Sequence, residues 1–328
     1  MKNIYILIYP DVVLSSAAAP LDILTRTNEI LMAAGSPPAF NVRLVSDQSG
    51  DIHLNNPVHF NCENSVAEIT PSADGHHQQL ILIPAFEKTW ETVLPKNSSL
   101  VEWIREHYVA GTEVASLCKG AYFLAEAGIL NGQPCTSHWG VIDDMKQRYP
   151  EVDFQPDSVI TDQNGIYTGG GAFSSLNLVL YLVEKFCGHE VGIMVSKNFS
   201  IHRDHISQAH FSVFRGLNQH ADQVILNAQT FIETHYSKDI SVEQVACHVN
   251  MSKRNLIRRF KLATQNTPLE YIQRVKVEVA KKALENGSQS IQNLMYDVGY
   301  NDNKTFRTVF KRMTGVTPQE YRNKYGRQ

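Results

Sequence analysis

Short apolar runs alternate with segments of helical period through the first 185 or so residues of the chain. The runs are IYILIY (4–9), FNVRLVS (40–46), LILIP (80–84) and EVASL (113–117), and the helical stretches between them are Pro20 to Ala34, Leu100 to Tyr108 and Ala121 to Ala127. Runs that are apolar on successive residues suit strands buried on both faces, so the alternation predicts βα units around a parallel sheet. After IYTGGG, Ser174 to Phe186 is apolar at 176, 179, 180 and 183 and predicts a closing helix. The pattern breaks between about Gly188 and His220, and from Ala221 onward every apolar pattern has helical period. The expected fold class is α/β, a flavodoxin-like doubly wound parallel sheet over 1–190, then a linker over 191–221, then an all-α domain over 222–328.

Within the helical part, Val242, Val245, Ala246 and Val249 form the inner face of a short helix, Asn250-Met251 makes a turn, and Ser252 caps the next helix, KRNLIRRFK. Leu256 and Phe260, four apart, anchor that helix, which leaves Lys253, Arg254, Ile257 and Arg258 toward the other side and Arg259 at the flank. About fifty residues later the arrangement returns. Ser290 caps IQNLMYDVG and Asp302 caps NKTFRTVFKRM; Phe306 and Phe310 replace Leu256 and Phe260, and Asn303, Lys304, Arg307 and Thr308 face outward. Pro268 starts a long helix between the two units, ending near Gly287. Two helix-turn-helix units held about one DNA turn (~34 Å) apart can enter successive major grooves, where Arg bonds bidentately to guanine and neighbouring cations hold phosphates.

Composition sharpens this reading. At 328 residues the chain is too long for one ordinary core. Its net charge of −3 conceals a split: Met1 to Ala221 carries 13 Lys+Arg against 23 Asp+Glu, a balance of −10, and the remainder carries 17 against 10, a balance of +7. A basic module behind an acidic one fits double-stranded DNA as the partner of the second. The five cysteines are widely spaced with no CxxC pair, so neither a disulfide framework nor a metal site is expected, and no cofactor is implied. Pro10 and Asp11 cut the first apolar run too early for a secretion signal, and no run reaches the ~18 residues of a membrane span. The cytoplasm is the expected location, with no membrane partner.

The stretch from about Asp239 to Arg322 resembles the AraC/XylS-type DNA-binding domain, most specifically over the 26 residues DVGYNDNKTFRTVFKRMTGVTPQEYR. The resemblance implies that Arg254, Ile257 and Arg258 in the first unit and Asn303, Lys304, Arg307 and Thr308 in the second face base edges. Ile257 stands where a polar residue is often found, which favours an apolar contact such as a thymine methyl.

In the first domain, EVASLCKGAYFLAEAGIL turns from strand to helix at Cys118-Lys119-Gly120, and His138 follows in TSHW. A thiol at such an elbow is expected to be exposed at the positive end of a helix dipole, with its thiolate favoured. Residues 1 to about 190 resemble the PfpI-type branch of the class I glutamine amidotransferase-like superfamily. Joined to an AraC-type carboxyl terminus, the chain resembles the GlxA-type regulators. That resemblance implies a homodimer, a sensor of small and often nitrogen-containing metabolites, and RNA polymerase as a candidate partner. Two departures weigh against turnover. Ser16 stands where enzymatic relatives place a carboxylate, and Pro84-Ala85-Phe86 replaces a Gly-rich turn that gives an oxyanion donor, a feature worth roughly 3 kcal/mol. No catalytic residue is therefore expected; Cys118, Lys119, His138, Ser16 and Phe86 are the candidate ligand-binding residues. A Cys-dependent amidase or peptidase tethered to DNA and a thiol-based redox-responsive regulator are the alternatives.

Overall fold

The structure, a computed structural model, describes residues 1–71, 78–201, 208–211, 214, 220–287 and 289–326. Contacts divide the chain into two units, Met1–Gln208 and Ala209–Gln328.

The first unit is built on strands β1 (Lys2–Leu7), β2 (Phe40–Ser46), β5 (Asn64–Ser65), β6 (Gln79–Ile83), β7 (Glu113–Leu117), β10 (Ile160–Gln163) and β11 (Ile166–Gly169). They form one sheet in the order β10-β11-β7-β6-β1-β2-β5. All the pairings are parallel except β10 with β11. The two-stranded pieces β3 (Gly50–His53) with β4 (His59–Cys62) and β8 (Pro134–Cys135) with β9 (Asp153–Phe154) lie outside it. The central strands β6 and β7 are buried at every position, which is what unbroken apolar runs require.

Helices α1 (Leu14–Ala33), α6 (Leu176–Cys187) and α7 (His189–Asn198) pack together, as do α2 (Trp90–Lys96), α3 (Ser98–Val109) and α4 (Ala121–Glu126); α5 (Ile142–Arg148) follows β8. Two expected boundaries need correction. The first helix begins at Leu14, and Pro20 is buried inside it rather than opening it. Ser16 and Ala17 are also buried, so tertiary packing carries the helix past the backbone donor that proline lacks. The expected linker of 191–221 contains most of α7, whose Val195 is fully buried in the first unit's core. The residues from 202 to 207 lie outside the described ones.

The second unit is all-helical: α8 (Gln223–His235), α9 (Val242–His248), α10 (Lys253–Thr264), α11 (Pro268–Asn286), α12 (Ile291–Asp297), α13 (Asn303–Thr314) and α14 (Pro318–Tyr325). It has two cores that share α11. Tyr271, Ile272 and Val275 join Ile225, Leu256 and Phe260, whereas Val277, Ala280 and Leu284 join Leu294, Phe306 and Phe310.

The two halves repeat in detail. Thr264 and Thr314 each donate to the carbonyl of the anchoring Phe four residues before, both at 2.8 Å. Thr267 with Glu270 and Thr317 with Glu320 form capping boxes before a helical Pro. Tyr271 then meets Phe260 edge-on at 5.3 Å, as Tyr321 meets Phe310 at 5.7 Å. Positive φ recurs at Asn250 and Gly299 in the turns. The second turn is one residue longer, two residues lying between Gly299 and Asp302 where one lies between Asn250 and Ser252.

Candidate ligand site and nucleic-acid interface

Cys118 stands at the end of β7 with φ +55, the sharp backbone of a strand-to-helix elbow. Gly120 is required there, because a Cβ would lie 2.4 Å from the Ile83 carbonyl oxygen and 2.9 Å from that of Pro84. The thiol is not exposed, however; Cys118 is only 6% accessible. Burial raises its pKa above the ordinary thiol value, against hydrogen bonds from the Ala172 and Lys119 backbone and the Lys119 charge. The expectation of an exposed, thiolate-favouring cysteine is thus corrected: the elbow's dipole and cation are outweighed by desolvation.

His138 lies on the loop between β8 and α5, against the Gly171–Ala172 segment that faces the thiol. A Cβ on Gly171 would come 2.6 Å from its ring, and Gly171 precedes Ala172, which faces Cys118 with φ +47. Two left-handed non-glycine residues at one spot, Cys118 and Ala172, mark strain of the kind that clusters at functional sites. His138 Nδ1 accepts the Gly140 N–H at 3.0 Å, which leaves Nε2 to carry the proton in the neutral ring. Burial first, and then Lys119, lower its pKa and favour that neutral form. Its free edge is a donor, and among the described residues no hydrogen bond joins imidazole and thiol.

The other candidates are engaged in structural contacts of their own. Ser16 Oγ accepts the Ala85 N–H at 2.8 Å, so the backbone donor nearest the site after β6 is already engaged. Phe86 is fully buried against Tyr122 and Phe123 and fills space rather than lining it. Lys119 Nζ donates to the carbonyls of Glu87 (2.9 Å) and Lys88 (3.2 Å) and lies 4.9 Å from the centre of the Phe86 ring. Ser137 Oγ donates to the Cys118 carbonyl at 2.8 Å. Beside them Phe173 stands 71% exposed.

One residue of this site carried no sequence signal. Gln208, fully buried, places Nε2 at 3.0 Å from Thr136 Oγ1, 2.9 Å from the Ser137 carbonyl and 3.0 Å from that of Pro156. Its Oε1 accepts the Gly171 N–H at 3.0 Å. The last residue of the first unit is therefore fastened to the loops that carry His138 and face Cys118. A glutamine in a polar stretch reads as linker, and only the fold reveals its partners.

A direct consequence concerns thiol reactivity. Alkylation of Cys118, followed by peptide mass spectrometry, is expected to be slower at pH 8 than that of exposed Cys247, and to climb only as pH rises past the ordinary thiol range. Labelling of Cys118 at neutral pH as fast as Cys247 would contradict the buried, protonated thiol.

In the second unit, Lys253, Arg254, Arg258, Asn303, Lys304, Arg307 and Thr308 are all exposed, on α10 and α13, and Ile257 is half-buried. The cations are not equivalent. Lys253 pairs with Glu243, and Arg259 is held by Asp222, with Nε 2.5 Å and Nη2 2.8 Å from its carboxylate. Asp222 also accepts the Val224 and Ile225 N–H groups as the cap of α8. Among the described residues Arg254 and Arg307 have no ion-pair partner, and Arg258 donates only to Asn255. The polar, cationic faces of two capped helices, each behind a tight turn, make this a candidate major-groove interface.

Residues 2–185 match the DJ-1/PfpI family and residues 245–324 match a helix-turn-helix domain. The chain belongs to the DJ-1/PfpI family, and it joins that domain to the AraC-type helix-turn-helix pair anticipated from its sequence. It is 26% identical over 216 residues to the HTH-type transcriptional regulator GbdR of Pseudomonas aeruginosa, across 65% of this chain and 58% of that one. It is 24% identical over 264 residues to the regulator CdhR of the same organism, across 79% and 75%. The match to GbdR thus spans well under two thirds of that relative's length. An AraC family transcriptional regulator from Pseudomonas putida, of solved structure, shares the fold with a TM-score of 0.51 at 16% identity, over 61% of this chain and 100% of that one. Among the described residues no helix is long and apolar enough to cross a membrane.

Proposed function

We propose that this protein is a sequence-specific DNA-binding transcription regulator that responds to a small effector held by a non-catalytic DJ-1/PfpI domain. The observation that carries the DNA-binding half is the repeated unit, in which exposed Arg254, Arg258 and Arg307 stand on two capped helices over matched cores. The similarity to regulators supports it. Against turnover stand three features: a buried, protonated Cys118, a His138 whose Nδ1 lone pair is already used, and a Ser16 that engages Ala85 N–H where a carboxylate would act as a third catalytic group. The strained loop beside these residues, together with exposed Phe173, suits binding of a small metabolite, such as a nitrogen-containing one, with His138 Nε2–H as a donor to it. A homodimer is part of this reading, since paired DNA sites match paired subunits.

The experiment is selection of DNA by the full-length protein from a random pool, then titration of a metabolite panel while operator affinity and melting temperature are followed. An enriched motif and an affinity that shifts with one metabolite are expected. Failure to enrich any sequence overturns the DNA-binding reading. Steady hydrolysis of amides or peptides that is abolished by Cys118→Ala overturns the non-catalytic one.

Gln208 supplies the coupling in this scheme. Gln208→Leu leaves the Gly171 N–H without its acceptor, a loss of about 1–3 kcal/mol. The expected result is a variant that still melts higher with the effector yet no longer changes operator affinity in response. Unaltered coupling in a folded variant would remove Gln208 from the route.

A further inference from the structure

Helix α11 runs through both cores of the second unit, and Lys276 sits where one core gives way to the other, between Val275 and Val277. It is only 4% exposed. Its ammonium donates to the Gly299 carbonyl at 2.8 Å and to the Lys238 carbonyl at 3.2 Å, and lies 4.9 Å from the centre of the Tyr300 ring. Lys238 precedes α9, in the first helix-turn-helix unit; Gly299 follows α12, in the second. The two units also meet directly at this point. Gly299 has φ +74, and a Cβ on it would lie 2.8 Å from the carbonyl oxygens of Ser237 and Lys238 and equally close to the Lys276 ammonium. The contact is backbone against backbone, with one cation stapling both.

Burying that cation is costly. Burial lowers the Lys276 pKa, with Asp239 acting weakly in the opposite direction, and the charge is met by carbonyl dipoles and a ring face instead of a bonded carboxylate. A methionine would fill similar volume without the desolvation cost, so stability by itself gives little reason for a lysine here. Geometry does. A shared helix sets the rise between two small cores, at 1.5 Å per residue, but each core could still roll about it. The Lys276 staple removes that freedom.

We infer that Lys276 is a positioning residue for DNA recognition, fixing the distance and rotation of α13 relative to α10 and thereby the base-pair spacing that the two recognition helices accept. One base pair changes both quantities, by about 3.4 Å and about 35°, so a rigid pair of helices tolerates one spacing and a rolling pair tolerates several. This inference rests on the DNA-binding reading above.

The test uses the full-length protein and the sequence it selects from a random pool, together with versions carrying one base pair inserted or deleted between the two contacted segments. Wild-type protein is expected to bind the altered spacings about tenfold or more weakly, the scale of a lost base contact. Lys276→Met is expected to discriminate less than about threefold, and Lys276→Arg, which keeps the donors, to restore the preference. Lys276→Gln, uncharged and one atom too short to bridge both carbonyls, serves if the methionine variant does not fold. Arg258→Ala should weaken binding at every spacing alike, which separates lost contact from lost positioning. A folded Met or Gln variant with wild-type spacing preference overturns the inference while leaving DNA binding intact; a wild-type protein that enriches no sequence overturns both.

Discussion

Alanine at Arg258 or at Arg307 is expected to weaken binding to the selected operator by about 1–3 kcal/mol, roughly fivefold to 150-fold, and to relax base preference only where that side chain reads. The two sites lie on different recognition helices, so their losses should nearly add in the double variant. The prediction separates these arginines from their neighbours. Arg259 is tied to Asp222, the cap of α8, so Arg259→Ala should lower the melting temperature of the second unit more than it alters base preference. Lys253 must first leave Glu243 to reach a phosphate. Electrophoretic or fluorescence titration of operator variants checks this. Wild-type affinity in both Arg258→Ala and Arg307→Ala would mean that α10 and α13 are not the helices that read bases.

Phe310→Ala is expected to cost about 3–5 kcal/mol, because a fully buried ring that meets Phe306 and Tyr321 is removed from a core of some ten residues with little capacity to collapse. Phe260→Ala should cost the first core a similar amount, since Phe260 occupies the matching position against Tyr271. The loss should remain in the half that is mutated. Hydrogen exchange in Phe310→Ala should rise over α12 to α14 while α8 to α10 keep their protection, and DNA affinity should fall with it. Uniform loss of protection over both halves would show instead that α11 makes the two cores one cooperative unit.

Much of this arrangement is legible in the sequence. The unbroken apolar runs at 80–83 and 113–117 became the fully buried β6 and β7, and the fifty-residue recurrence of cap, anchor and cation became two units with their polar and cationic residues exposed and Ile257 half-buried. The motif T-x-x-T-P-x-E-Y also recurs, at 264–271 and 314–321, and builds the matching capping boxes and Tyr–Phe contacts. The helix at 14–33 was harder: Pro20 suggests a start, and only the burial of Ser16 and Ala17 explains why the helix runs through it.

By itself, the sequence determined what local chemistry dictates: period, caps, turns, the outward cations and the elbow at Cys118. It determined the class of protein for the same reason, since those features repeat at short range. Only the tertiary structure decided the properties that depend on what surrounds a group. It made Cys118 a protonated thiol, because desolvation exceeds the dipole and Lys119 that a local reading counts. It turned Gln208 from an apparent linker residue into a fastening of the loops around His138. It also gave Lys276 two carbonyl partners, 38 residues before it and 23 after it in the chain, which no periodicity along α11 could reveal.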